Sequence, residues 1–142
     1  MGLGERGKDL GLLILRIGIG ILFVYHGVGI LGGGQDAWVK TGGAMSYVGV
    51  SFMPAAWGFC AGAVMTVGGV FLAFGVFVRL FALLMLISML VATNMHLQMG
   101  QGFGVASHAI ESAVVFLSLF FMGSGRYYLK LPKKHSTDQP QK

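Results

Sequence analysis

PAAWGFCAGAVMTVGGVFLAFGVFV, residues 54–78, contains no charged residue. At 1.5 Å per residue a helix of this length crosses a hydrocarbon core of about 30 Å. In lipid a spanning backbone must satisfy its own N–H and C=O groups, so the run reads as a transmembrane helix. Pro54 suits its first turn, where the missing N–H is no loss. Gly62, Gly68, Gly69 and Gly75 lay a smooth strip along it where neighbouring helices can approach.

Outward from this run the same pattern repeats. Leu10 to Leu31 is a second apolar stretch, interrupted by Arg16 and His26 after a short polar start at residues 1–9. It is too long for a signal peptide, and no small-x-small cleavage site follows it. Gly75 to Arg79 allows a tight turn. Leu80 to about Gln98 makes a third span, and the glycine-rich turn Gly100–Gly104 leads to a fourth, about Val105 to Met122. Between the first two spans, Gly32 to Phe52 is a loop. A short interfacial helix is expected in it over Ala37–Val48, with Trp38 and Tyr47 at headgroup depth.

The composition agrees, with 55% hydrophobic and only 11% charged residues in 142. The fold class is therefore all-α, an integral membrane four-helix bundle. Residues 1–130 form its single domain, and residues 131–142 are a polar, basic cytoplasmic tail.

A net charge of +5 could suggest nucleic acid, but the basic residues cluster at the chain ends, which points to lipid instead. Arg6, Lys8, Arg79, Arg126 and the tail lysines fall on one side of a four-span chain. The first loop offers only Lys40 and the third none, so both termini are expected in the cytoplasm, N-in/C-in. Cys60 is the only cysteine. No intrachain disulfide or CxxC pair can form, and an apolar helix suppresses thiolate chemistry.

Chemistry is expected around TNMHLQMGQGFGVASHAIE, residues 93–111. Ionisable groups within spans are costly and often mark ion, proton or cofactor sites. His108 and Glu111, three residues apart, share a helix face. With the inferred topology His26, Asn94, His96 and Gln98 lie at the same outer depth. Three histidines and one carboxylate are thus expected to converge from three helices, an arrangement that bundle cores use for cofactors and metals. Arg16 is read either as snorkelling inward or as an ion-pair partner of Glu111. Met85, Met89, Met95 and Met99 recur at spacings suited to a copper path or to pliable packing.

Four segments in order resemble the DoxX family of small four-span membrane proteins. They are ILRIGIGILFVYHGVGIL (14–31), SYVGVSFMP (46–54), VGGVFLAFGVFVRLFAL (67–83) and GSGRYYLK (123–130). Two positions depart from the family pattern: Met65 stands where many members carry glutamate, and Ile30 where a lysine is common. Some members are the membrane subunit of a thiosulfate:quinone oxidoreductase, and others join membrane complexes linked to thiol and oxidative-stress chemistry. The resemblance implies a redox-associated protein of a bacterial or archaeal cytoplasmic membrane.

Three cofactors suit the expected cluster. Two histidines would ligate a haem, given room for the macrocycle. His26, His96, His108 and Glu111 would hold a transition metal such as Zn, Cu or Fe. A histidine and Glu111 would exchange protons with a quinone, with His26 and His96 alongside and Asn94 and Arg16 in support. The quinone ranks first because the resemblance supports it. The competing expectation is a non-catalytic accessory subunit of a larger respiratory or transport complex. Partners are the lipid bilayer and either other membrane subunits or further copies of the chain.

Overall fold

The computed structural model describes residues 3–129, so the expected tail 131–142 lies outside the described residues. Within them the elements are α1 (Leu3–Gly32), α2 (Gly34–Gly42), a 3-10 segment (Gly43–Val48), α3 (Pro54–Phe74), α4 (Val78–Gln98) and α5 (Phe103–Met122), and no strand occurs among the described residues. Helices α1, α3, α4 and α5 are long and apolar enough to cross a membrane.

Several boundaries differ from the expected ones; α4, for one, starts at Val78 rather than Leu80. α1 starts at Leu3 rather than Leu10, so Glu5, Arg6 and Lys8 extend the helix. At 1.5 Å per residue it is about 45 Å long, more than the core requires, and the polar turns project beyond the apolar run. α3 ends at Phe74 instead of Val78 because Gly75 takes a left-handed conformation (φ 75°) and turns its N–H onto the Leu72 carbonyl. The single interfacial helix expected over Ala37–Val48 divides at Gly42–Gly43 into α2 and the 3-10 segment.

α1 packs along α3, and α4 along α5, while α3 and α4 are in looser contact. In the first pair the backbones nearly touch. A Cβ on Gly20 would lie 2.6 Å from the Gly69 carbonyl oxygen, and one on Gly69 2.5 Å from that of Gly20. α2 crosses the start of α3 just as closely, Gly42 against Pro54 and Gly58 against the Trp38 backbone. Small residues serve the second pair too, with Ala106, Ala109 and Ala113 of α5 buried.

Phe23, Met65, Leu72, Met85, Met89, Phe116 and Leu119 fill the centre. Phe23 meets Phe116 edge-to-face at 4.7 Å, joining α1 to α5. Met85 and Met89 belong to this core, whereas Met95 lines a groove and Met99 is exposed. The methionines therefore do not share one path.

Candidate functional site

The antiparallel helices give the bundle two ends of different character. At one lie the start of α1, the α3–α4 turn and the end of α5. Arg16 is 1% exposed there, the only buried charged side chain among the described residues. Its guanidinium donates from Nη1 to the Ser124 carbonyl oxygen at 2.5 Å, and from Nη2 to that of Tyr127. The segment after α5 folds back across this end, and the Leu129 N–H donates to the Phe74 carbonyl at 3.1 Å. Gly75 leaves the space that Arg16 and Tyr128 fill, since a Cβ there would collide with both. Arg16 thus stitches the chain's closing segment to α1. It makes no ion pair with Glu111, and the expected support for a cluster at the opposite end is replaced by this contact.

The opposite end is roofed by α2 and the 3-10 segment, and two cavities open beneath that roof. One, of about 250 Å³, lies between α3 and α4. Its walls include Trp57, Cys60, Val64, Met65, Leu84 and Ile87. The other, a groove of about 650 Å³ between α1, α2 and α4, is lined by Tyr25, His26, Lys40 and Met95 among others. Thr41, Ala44 and Ala92 line both, so the two share a wall.

The roof is held from α4. Asn94 donates from Nδ2 to the Tyr47 carbonyl at 2.8 Å, and Gln98 donates from Nε2 to the same oxygen at 3.0 Å and to Asn94 Oδ1 at 3.0 Å. Trp38, expected at headgroup depth, packs edge-on against Phe59 at 5.1 Å, its Nε1 buried with no hydrogen-bond partner.

The expected residues separate at this end. His26 faces the groove, its Nδ1 3.3 Å from the Leu22 carbonyl. His96 turns to the α4–α5 connection, its Nδ1 2.7 Å from Gln101 Oε1. His108 and Glu111 are exposed on α5, and neither makes a hydrogen bond or ion pair among the described residues. No group of three or more His, Cys, Asp or Glu side chains able to hold a metal occurs among the described residues. Nor do two histidines face each other across either cavity, as a haem would need.

Lys40 and Thr41 line the groove without being among the residues expected at a site. Lys40 counts in the sequence only as a charge fixing topology, although it and Asp36 are the two charged residues of the loop between the first two spans.

Among known families, the DoxX model matches residues 11–111. No curated protein and no solved structure matches the chain. The matched stretch holds Arg16, both cavities, the roof and its clamps, and ends at Glu111.

Proposed function

This chain belongs to the DoxX family of four-span membrane proteins, and from that premise we propose that it serves a membrane redox process by binding a quinone beneath the roof of α2. The observation that carries the reading is the pair of cavities with a common wall at Thr41, Ala44 and Ala92. One is apolar and suits a prenyl tail. The other sets His26 and Lys40 where a polar head group would lie. Ligand sites of this kind combine an apolar lining with a few placed polar groups.

The quinone would supply two-electron, two-proton carrier chemistry. Lys40 and His26 would donate hydrogen bonds to its oxygens, and the exposed His26 imidazole would carry a proton between the groove and the surface. Asn94 is a positioning residue, holding the Tyr47 carbonyl and with it the roof. His96 and Gln101 steady the neighbouring turn. Among the described residues the donors around the two cavities form neither a haem nor a metal ligand set, which favours the quinone among the three. On this reading the Arg16 end, with Arg6, Lys8 and Arg79 nearby in sequence or fold, faces the cytoplasm.

The test is quinone content after purification in native-lipid nanodiscs. Wild type is expected to retain about one quinone per chain, and Ala61→Trp, which fills the apolar cavity, to lose it while remaining folded. His26→Ala should keep the quinone but slow its reduction by about 10²-fold, the lower range for a positioned acid–base group. A wild-type protein that carries none would favour the accessory-subunit alternative.

A further inference from the structure

The face of α5 that turns away from the bundle carries the chain's least explained residues. Ala106, Ala109, Ala113, Phe116 and Leu119 mark its buried side. At about 100° per residue Glu111 points nearly opposite to Ala109 and Ala113. It lies roughly 12 Å along a helix of about 30 Å, so it sits near mid-span. His108, one turn away, is exposed as well. Neither has a partner among the described residues, and neither lines the two cavities. An ionisable side chain at that depth on the lipid-facing surface calls for a partner from beyond the described residues.

Sequence spacing indicates what that partner is. The exposed Gly104, His108, Glu111, Ser118 and Met122, with Val115 half-buried against the core between them, recur at alternating intervals of four and three, the repeat of a two-helix seam. Gly104 and Ser118 stand one heptad on either side of Glu111, small residues that let a second backbone come close. The charge pattern is self-complementary: one face carries a carboxylate and an imidazole a single turn apart.

We propose that α5 pairs with α5 of a second copy of this chain, with His108 of each copy set against Glu111 of the other. Copies inserted the same way are related by a two-fold axis along the membrane normal, which places identical residues at identical depth and makes each contact occur twice. A foreign helix would have to bring its own cation to Glu111 and would leave His108 without a role. The second copy satisfies both groups. This inference is independent of quinone binding.

Charge exchange tests it, read by energy transfer between fluorescent N-terminal fusions in lipid vesicles. His108→Glu and Glu111→His singly should each weaken association by about tenfold or more, because like groups then face each other. The double exchange should restore it to within about threefold of wild type. In native membranes, on a Cys60→Ser background, Gly104→Cys and Ser118→Cys should oxidise to a species of twice the chain mass, while Ile21→Cys on the exposed side of α1 should not. A monomeric chain in vesicles, failure of the double exchange to rescue, a cross-link equally strong at position 21, or a product containing a different protein would each overturn the proposal. The fusions retain Cys60, so the charge exchange stands even if the cysteine-free background misfolds.

Discussion

The two ends of this bundle carry polar groups for opposite purposes. At the Arg16 end a buried cation is consumed by structure: two of its nitrogens are bound to main-chain carbonyls of the closing segment, and Gly75 keeps the space clear. At the His26 end polar groups border open space, and the hydrogen bonds there hold a roof above cavities rather than closing a core. The difference teaches that a charged residue within a span is not by itself evidence of chemistry. What matters is whether its partners are already supplied by the backbone.

The largest expected effect comes from breaking the stitched end. Arg16→Leu removes two charge-assisted hydrogen bonds to carbonyls, each worth about 1.5–3 kcal/mol, and leaves those oxygens in a poorly hydrated site. A loss of roughly 3–5 kcal/mol is expected, read as a fall in thermal midpoint of the detergent-solubilised protein. Arg16→Lys should recover only part, since an ammonium lacks the planar fork that reaches both carbonyls. Ending the chain after Gly123 removes the acceptors and should cost a similar amount. Combined with Arg16→Leu it should add little further, because both changes delete the same contact. His26→Ala, by contrast, is expected to shift stability by no more than about 0.5 kcal/mol. Equal losses from the two substitutions would erase the distinction between the ends.

Much of the fold was legible because apolar length is a strong signal. The spans containing residues 54–78 and 80–98 needed only the absence of charge and a turn at Gly75. The glycine strip was also readable, and Gly62, Gly68 and Gly69 are all buried on α3. The site was less legible. Counting depth along separate helices placed His26, Asn94, His96 and His108 near one level, yet depth says nothing of azimuth. Glu111 lies at a suitable height and points the wrong way. For Arg16 the sequence leaves open inward snorkelling or an ion pair with Glu111, since carboxylates are the complement that side-chain identity reveals. Its real acceptors, the carbonyls of Ser124 and Tyr127, exist at every residue and leave no trace in side-chain identity.

A smaller effect is expected where α2 crosses α3. Gly58→Ala places a Cβ against the Trp38 backbone, which cannot yield as a side-chain tip would. Overpacking of this kind costs about 1–3 kcal/mol, here directed at the roof. Hydrogen exchange over residues 34–48 should quicken while the centre of α4 stays protected. If protection fell throughout the bundle, the roof would be part of the core and the contrast between the ends would weaken.

The smallest effect is the most specific. Asn94→Ala removes one donor to the Tyr47 carbonyl, but Gln98 donates to the same oxygen. The acceptor therefore stays satisfied, and a loss of under about 1 kcal/mol is expected. Gln98→Ala alone should likewise be mild. The double substitution strands the carbonyl, so its cost should exceed the sum of the single ones, measured as exchange of the 43–48 amides and as retention of quinone in nanodiscs. A strictly additive pair would mean that each donor acts alone and that solvent reaches Tyr47. A synergistic pair that loosens the roof and releases quinone together would tie the hydrogen bonds of this end to its cavities, whereas those of Arg16 serve the fold alone.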